Sequence, residues 1–432
     1  MADDQVWWTH WLQYSSRTDI GMRRTNNQDS RCCHPAASHR LWRSKGHMFV
    51  VADGMGAHAA GELASQIAVD SIPQAYLKKS DEHPWDALRN AIFQTHLQIK
   101  RQGNEDEAFR DMGTTVDALL LLPEGAVVAH VGDSRVYRLR KGIYEQLTFD
   151  HSLLWEVKRS GRIPEDRIPA YIPKNVITRS LGPTENLVVD VEGPLPLEVG
   201  DTFLLCSDGL SGQIEDDEMA QILQLLSPDE ATETLVNLTN LRGGPDNITV
   251  TVAKITAIPS ADEEKSDPVL EKRPRPTTLA LSLLVFALVA LIFSFTWIVS
   301  GQESKAVPII TVILSILFAG GFLFAAHKSI FPVSYQRPLV PPLGRAPYST
   351  ASAIPNPSFA AKLTDIKRQL IEAVDKQGIL ADHSGFQPWE TQLKHAQETG
   401  NFGEVIRCDA RIINFLMAEI KKMSTDQTQG DG

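Results

Sequence analysis

The chain has 432 residues, of which 43% are hydrophobic and 22% charged, a composition that excludes disordered, collagen-like and disulfide-scaffold proteins. Its 42 Lys and Arg residues against 53 Asp and Glu residues give a formal net charge of −11, and no basic patch stands out to attract a nucleic acid backbone. We therefore expect about two or three domains and no nucleic-acid partner.

The N-terminus and the cysteines indicate the compartment. The first ten residues contain neither the basic stretch nor the apolar stretch of a secretory signal. The four Cys residues show neither a disulfide framework nor a zinc-binding spacing. We expect the N-terminal part of the chain to stay in the reducing cytosol.

Apolar, strand-like runs that end beside an aspartate recur through the first 255 residues. Such runs are typical of buried strands, and the neighbouring glycines allow the chain to turn sharply beside each carboxylate. The aspartates in these positions are Asp53, Asp133 and Asp208, joined by Asp29 in an early polar turn and by Asp246 before the run at 248–252. The pattern predicts several acidic groups at one rim of a sheet.

Carboxylates gathered at one rim repel one another unless cations lie between them, so the pattern also predicts a metal site. A set of ligands made of oxygen atoms favours Mg²⁺ or Mn²⁺ over zinc. Each aspartate taken alone is more typical of a simple turn.

Two long runs without a charged residue follow this region, at 277–299 and 307–326. Each is long enough to span a bilayer core of about 30 Å as a helix. The segment between the two runs holds a single Lys, whereas several basic residues flank the pair on the outside, which predicts that both large flanks are cytoplasmic. These basic residues are Lys272, Arg273 and Arg275 before the pair, and Lys328, Arg337 and Arg345 after it. The alternative is a buried helical hairpin in a soluble core.

Linkers and a helical tail complete the domain organisation. We predict a catalytic domain at 14–256, a charged linker at 257–276, a transmembrane hairpin at 277–326, an extended Pro-rich linker at 327–357 and a helical module at 358–423. Apolar residues recur at steps of three and four from Phe359 to Val374 and from Phe402 to Ile420, which predicts two amphipathic helices. Residues 389–398 are predicted to form a third helix. The module is either a small bundle for interaction or a solvated coiled coil.

Eight motifs in the first domain resemble those of the metal-dependent serine/threonine protein phosphatases, the protein phosphatase 2C-like family, in its bacterial form. They occur in the order expected for that family and cover about residues 14–255. The motifs lie at 24–29, 53–65, 112–115, 132–135, 148–152, 177–182, 207–210 and 244–247.

The resemblance implies an α+β fold, a four-layer α-β-β-α sandwich of two antiparallel sheets, followed here by two transmembrane helices and a small helical C-terminal region. It also implies two Mn²⁺ or Mg²⁺ ions at one end of the sandwich and a third, weaker ion. By the same resemblance, Asp53 bridges both ions, and the Gly54 carbonyl completes the coordination of one of them. Asp208 and Asp246 bind the other ion, and Asp29 acts through water. Asp133 binds the third ion together with Asp208, and Arg24 binds phosphate.

Three positions depart from the family pattern. Gln28 stands where many members carry Glu, which weakens one contact to a metal or its waters, and Ala57 replaces a usual Gly. Met55 occupies the position of a histidine that some members use as a general acid. His58 is the nearest titratable candidate for that role, and a histidine that caps the next helix is the alternative. The polar stretch at 151–176 matches the family's variable flap.

The sequence thus predicts a membrane-anchored phosphatase that hydrolyses phosphoserine and phosphothreonine on proteins, with its catalytic domain and tail on the cytoplasmic side of the inner membrane. A serine/threonine kinase and its targets are the predicted partners. The alternatives are a catalytically silent phosphatase fold that serves as a membrane scaffold through its C-terminal helices, a transporter subunit, and a phosphatase for small metabolites.

Overall fold

The computed structural model describes residues 11–56, 60–78, 82–161, 163, 167–169, 171–173, 176–258, 278–300, 306–330, 343–379 and 384–430. The strands are β1 (Leu12–Asp19), β2 (Asp29–His34), β3 (His47–Met55), β4 (Gly113–Thr114), β5 (Val116–Leu122), β6 (Gly125–Val131), β7 (Arg135–Arg140), β8 (Ile143–Gln146), β9 (Asp190–Leu195), β10 (Thr202–Cys206), β11 (Ile248–Ile255) and β12 (Ser349–Ser352). The helices are α1 (His39–Lys45), α2 (Ala60–Lys78), α3 (Pro84–Glu105), α4 (Leu153–Ser160), α5 (Asp208–Ser211), α6 (Asp216–Leu225), α7 (Pro228–Leu241), α8 (Thr278–Val299), α9 (Ala306–Ile330), α10 (Pro357–Gln377), α11 (Gln387–Glu398) and α12 (Phe402–Gly430).

The strands form two antiparallel sheets. Sheet 1 has the order β1-β11-β10-β7-β8-β12, and sheet 2 has the order β2-β3-β5-β6-β9, with β4 paired to β3. Strands β5 and β10 are buried at every position, which explains why their sequences are apolar apart from Asp117 and Thr202. Strands covered on both faces read as unbroken apolar runs rather than as an alternation.

Helices cover the two sheets, and an apolar core fills the space between the sheets. Phe49 and Leu119 of sheet 2 lie in one buried cluster with Phe203 and Ala253 of sheet 1. Helices α2 and α3 pack on each other and reach sheet 2, whereas α6 and α7 contact sheet 1. The prediction of two antiparallel sheets with helices is therefore confirmed.

Local sequence explains where the helices on sheet 1 begin. Ser227 is the N-cap of α7, and its hydroxyl accepts a hydrogen bond from the backbone N–H of Glu230. The Glu230 carboxylate in turn accepts from the backbone N–H of Ser227, which completes a capping box, and Pro228 occupies the first helical turn. These contacts fix the start of α7 and so orient its buried face toward sheet 1.

The chain beyond residue 342 belongs to the same compact unit as residues 1–260. Strand β12 pairs with β8 at the edge of sheet 1, and helices α10 and α12 lie near the predicted positions. The Pro-rich linker predicted at 327–357 therefore needs a correction, because its C-terminal part contains β12 and the start of α10. The backbone of that part finds hydrogen-bond partners on the edge strand β8, which the sequence pattern does not reveal.

Residues 261–341 form the second compact unit, in which α8 and α9 pack against each other. The rings of Phe286 and Phe318 stack between these two helices at 5.7 Å. The helices lie where the two uncharged runs predicted them, but the predicted transmembrane hairpin is not confirmed. Within the described residues, no helix combines the length and the apolar character that a membrane crossing requires.

Candidate metal and phosphate site

Asp29 and Asp53 are cross-strand neighbours at one end of sheet 2. Asp29 opens β2, Asp53 lies near the end of β3, and the antiparallel register places the two residues directly opposite each other. Thr115 fixes the backbone of Asp53 from both sides. The Thr115 hydroxyl accepts from the Asp53 N–H at 2.9 Å, and the Thr115 N–H donates to the Asp53 carbonyl at 2.8 Å.

Asp208 and Asp246 reach the same place from sheet 1. Asp208 begins α5 directly after β10, and Asp246 comes just before β11. Because β10 and β11 are antiparallel neighbours, the end of one lies beside the start of the other. Asp208 lies near enough to Asp53 to raise the pKa of Asp53, and the Ser207 hydroxyl donates to Asp29 Oδ2 at 2.7 Å. The two sheets thus meet at their acidic ends.

Two glycines allow this close approach of backbones. A Cβ atom at Gly54 would lie 2.0 Å from the carbonyl oxygen of Gly61, and one at Gly209 would lie 2.0 Å from that of Asn247. No real Cβ tolerates such a distance, so only glycine fits at either position. The glycine beside each aspartate therefore sets the packing as well as the turn.

Asp133 is the fifth member of the group, in the turn that follows β6. The side chain is buried, and its Oδ1 atom has no hydrogen-bond partner among the described residues. A buried carboxylate oxygen without a partner is costly unless a ligand satisfies it. We call Asp29, Asp53, Asp133, Asp208 and Asp246 the aspartate cluster.

Electrostatics shows that these carboxylates act on one another. Burial raises the pKa of Asp29 to about 7, and Asp208 and Asp246 add to the rise. Burial likewise raises the pKa of Asp53 well above its usual range, with further contributions from the other four members of the cluster. The pKa of Asp208 is raised by burial and by Asp246. Ionisation of all these carboxylates is therefore unfavourable unless a cation is bound.

The aspartate cluster fits divalent cations by two observations. The unpartnered oxygen of Asp133 needs a ligand, and the raised pKa values show carboxylates held together against their repulsion. All of these donors are oxygen atoms, as Mg²⁺ and Mn²⁺ prefer. In the part of the chain that the structure describes, no three acidic, His or Cys side chains have the spacing of a ready-made cage.

Metal removal should make the stability of the fold depend on pH. Without cations, Asp29 and Asp133 have a pKa of about 7 against an ordinary value of 3.8, so the folded state binds more protons than the unfolded state. Their contribution to stability is present below the unfolded pKa and is lost as the pH rises through the folded pKa. In chelator, the melting temperature should fall as the pH rises from about 4 to about 7. Bound Mn²⁺ should remove that fall, and parallel curves with and without metal would contradict the prediction.

Arg24 lies at the edge of the aspartate cluster. Its Nη2 atom donates to Asp246 Oδ2 at 2.8 Å, and 47% of the Arg24 side chain is exposed. An exposed, planar guanidinium can exchange a carboxylate for two oxygens of a phosphate group. The geometry therefore leaves Arg24 free to meet an anion that enters beside Asp246.

Of the three departures from the family pattern, Gln28 and Met55 lie within the described residues and Ala57 does not. Ala57 and His58 are not among the described residues, so the role of His58 stays a prediction. The backbone of Gln28 forms two hydrogen bonds at the site. Its N–H donates to Asn247 Oδ1 at 2.8 Å, and its carbonyl accepts from the Gly54 N–H at 3.1 Å. The residue thus holds the two acidic ends together through its main chain.

Sequence reasoning missed a buried polar network behind Asp133. The guanidinium of Arg135 forms a paired contact with Asp150, at 2.9 Å from Nε and 2.7 Å from Nη2. His130 Nδ1 lies 2.6 Å from Asp117 Oδ1, and its Nε2 lies 3.0 Å from the carbonyl oxygen of Phe149. The one available signal was Asp117, a lone acid inside the apolar run of β5. This network holds the 149–150 turn against β6 and β7.

A groove of about 1370 Å³ opens beside the aspartate cluster. Asp133, Asp208 and Asp246 line one part of it. Helix α4, which lies in the predicted flap at 151–176, lines another part, and residues 344–349 line a third. The groove gives an elongated substrate access to the carboxylates.

Comparison with known proteins gives an independent view of the chain. The family model described as "Protein phosphatase 2C" matches residues 24–239. A curated relative from Streptococcus pneumoniae, named Protein phosphatase PhpP, is 37% identical over 266 residues, which cover 59% of this chain and 100% of that protein. Serine/threonine phosphatase stp from Listeria monocytogenes is 34% identical over 243 residues, or 54% of this chain and 92% of that protein.

A solved structure agrees with these relatives. The serine/threonine phosphatase from S. agalactiae is 32% identical, with a TM-score of 0.50 over 57% of this chain and 100% of that chain. The match to that structure spans little more than half of this sequence. Four members of the aspartate cluster, Asp29, Asp53, Asp133 and Asp208, lie inside the residues that the family model matches, and Asp246 follows that range.

Proposed function

The chain belongs to the protein phosphatase 2C family and is a protein-serine/threonine phosphatase, and from that premise we propose that it hydrolyses phosphoserine and phosphothreonine with the help of two Mn²⁺ or Mg²⁺ ions at the aspartate cluster. The observation that carries the proposal is the meeting of four carboxylates from the ends of both sheets, each raising the pKa of Asp53. A third ion at Asp133 and Asp208 is part of the proposal.

The proposed roles follow the positions of the residues. Asp53, Asp208, Asp246 and the carbonyl of Gly54 would hold the two ions. When bound, such a pair of ions lowers the pKa of water and neutralises charge on phosphoryl oxygens. Asp29, oriented by a hydrogen bond from Ser207, would orient the attacking water.

Arg24 would orient the phosphate by exchanging its bond to Asp246 for two phosphoryl oxygens. We expect Arg24→Lys to raise KM for a phosphopeptide roughly tenfold, because an ammonium group cannot make the paired contact. The neighbouring exposed Arg23→Lys is the matched control and should leave KM unchanged. Steady-state kinetics of both variants, with the amount of bound Mn²⁺ measured in each, would test this prediction. An unchanged KM in Arg24→Lys would contradict the role assigned to Arg24.

Membrane anchoring is a further part of the proposal and rests on the sequence, through the two uncharged runs and their basic flanks. We propose the inner membrane as the location, with the catalytic domain and the tail in the cytoplasm. Cysteine placed at Ser304 should then react with a membrane-impermeant thiol reagent in intact cells, whereas cysteine at Ser352 should not. Recovery of the chain in the soluble fraction after lysis, or labelling at position 352 alone, would contradict this location.

The proposed partners are a serine/threonine kinase and its phosphorylated targets. Phosphate release by the full chain from peptides with phosphoserine, phosphothreonine or phosphotyrosine tests the substrate class. We expect release from the first two with Mn²⁺ and none with chelator. No release from any peptide would favour the silent scaffold instead.

The same assay on His58→Ala, with nitrophenyl phosphate for comparison, tests the proposed general acid, since only the alkyl leaving group needs a proton.

A further inference from the structure

The chain that returns after residue 342 forms one wall of the catalytic groove. We call residues 343–352 the return segment. Its first part pairs with sheet 2, where Leu343 and Gly193 exchange backbone hydrogen bonds of 3.0 and 2.6 Å. Its last part is β12, which pairs with β8 of sheet 1. The return segment thus connects both sheets at the mouth of the groove.

Specific contacts fix the position of the return segment. Glu192 of β9 accepts hydrogen bonds from the backbone N–H of Ala346 at 3.0 Å and from the Tyr348 hydroxyl at 2.5 Å. Gly344 has a φ of +83°, and a Cβ atom there would lie 1.7 Å from Glu192 Oε2. The segment therefore fits against β9 in one arrangement, with residue 345 beside the groove.

Aromatic packing joins the return segment to the flap. The ring of Phe149 lies edge-on to Tyr348 at 5.6 Å and edge-on to Trp155 of α4 at 5.3 Å. Two cations of α4 lie over the same aromatic surfaces: Lys158 over Trp155 at 5.7 Å and Arg159 over Phe149 at 5.1 Å. The return segment and α4 therefore form one continuous edge of the groove.

Three of the acidic side chains that line the groove are held by partners along this edge, whereas Glu215 and Asp216 line the groove at the start of α6. Asp150 is paired with Arg135, and Glu192 is held by the return segment. Asp190 accepts from Arg179 at 3.2 Å and contacts His151 at 3.0 Å. These carboxylates consequently present little free negative charge to a molecule in the groove.

The basic side chains along the same edge have no such partners. Lys158, Arg159 and Arg345 all line the groove and are exposed. Among the described residues, none of the three has a carboxylate within ion-pair distance. The three cations lie together on one edge of the groove, in a chain whose formal net charge is −11. A cationic edge beside a catalytic groove attracts anionic ligands and raises their local concentration.

We infer that this cationic edge, completed by Arg345 from the return segment, selects phosphorylated protein segments that carry acidic residues next to the phosphorylated residue. The inference rests on the proposed function, because it names the class of substrate for the same site. Arg345 is a specificity residue in this account and takes no part in the chemistry. Its contribution is an ion pair in partial contact with water, so salt should weaken it.

The test compares two phosphoserine peptides of equal length, one with aspartates and one with alanines around the phosphoserine. The full chain with Mn²⁺ should show a kcat/KM roughly tenfold higher for the acidic peptide at low salt, with the difference shrinking at high salt. Arg345→Ala should reduce that preference about threefold through KM, on the scale of an exposed ion pair. Arg345→Glu should reduce it further.

Arg101→Ala, an equal change of charge at an exposed position of α3 outside the groove, is the matched control and should keep the preference. Hydrolysis of nitrophenyl phosphate should be equal in all of these variants. Equal kcat/KM for the two peptides in the unaltered chain would overturn the inference, as would an equal loss on both peptides in Arg345→Ala.

Binding of the same two peptides in chelator, measured by fluorescence anisotropy, separates the inference from the proposed function. Tighter binding of the acidic peptide that depends on Arg345, without any turnover in Mn²⁺, would support the inference and overturn the proposed function. Turnover without selective binding would overturn the inference and keep the proposed function.

Discussion

Asp53→Asn is expected to abolish nearly all phosphate release while leaving the domain folded. The loss should be on the order of 10³-fold, since removal of a single preorganised contact in a transition state already costs about 10²–10³ in kcat. Asn has nearly the same shape as Asp, and the substitution removes a charge that burial and four neighbouring carboxylates oppose. The melting temperature in chelator should therefore stay the same or rise.

Asp70→Asn provides the matched control for that substitution. Asp70 lies exposed on α2, outside the aspartate cluster, so the same chemical change there should leave turnover and metal binding intact. Phosphopeptide turnover and thermal melting of both variants would be compared. If Asp53→Asn kept a tenth or more of the activity, Asp53 would not be a ligand shared by the ions.

Truncation after Ser260 is expected to destabilise the catalytic domain strongly. Helices α6 and α7 bury Ile222 and Leu235 in one cluster with Leu363, Ile406 and Ile413 of the C-terminal helices. Each large apolar side chain returned to water costs about 1.5–3 kcal/mol, so several of them approach the total stability of about 5–15 kcal/mol of an ordinary domain. The truncated chain should melt at least about 10 °C lower or aggregate.

Polar contacts would be lost as well. The amide of Asn414 donates to Thr234 Oγ1 at 2.9 Å and accepts from buried Asn237 at 3.0 Å. Arg411 donates to Glu230 at 2.8 Å, on the capping box of α7. Truncation leaves these groups on α7 without their partners, which adds to the loss of apolar burial.

The matched control joins residues 1–260 to residues 342–432 through a flexible Gly-Ser linker of about 20 residues. That chain lacks α8 and α9 but keeps every segment of the first compact unit, so it should melt near the temperature of the full chain. Equal melting temperatures of the truncated and the linked chains would show that the C-terminal helices do not stabilise the domain.

The aspartate cluster could be predicted from the sequence because short-range patterns place it. Asp53 and Asp208 each follow an apolar strand directly, and a glycine follows each of them. An antiparallel register then brings Asp29 opposite Asp53, and the neighbouring strands β10 and β11 bring Asp208 near Asp246. Strand ends and turn residues are local signals, so their chemistry is readable before the fold is known.

The return segment could not be predicted in the same way. Strand β12 has the sequence Ser-Thr-Ala-Ser, which lacks the alternation of apolar and polar residues that identifies a strand. It is held by the edge of β8, and pairing with an edge depends on backbone groups rather than on side chains. The many prolines before it, at 332–347, therefore predicted an extended linker, whereas the described part from residue 343 onward forms a wall of the groove.

The packing of the C-terminal helices shows a second limit. Apolar spacing predicted α10 and α12, and the structure contains both. Helix α12 contacts α6 and α7, more than a hundred residues earlier in the chain, and α10 packs against α12. An amphipathic pattern reveals that a face will be covered, but not which surface covers it. The same limit hid the contact between Asp117 and His130.

Counting bound Mn²⁺ tests the central claim, that the aspartate cluster is a centre for divalent cations. Equilibrium dialysis of the full chain at neutral pH, followed by metal analysis, should give about two tightly held ions per chain. The double variant Asp53→Asn with Asp208→Asn should hold none at the same free Mn²⁺ concentration. Equal metal content in the unaltered chain and the double variant would contradict the account.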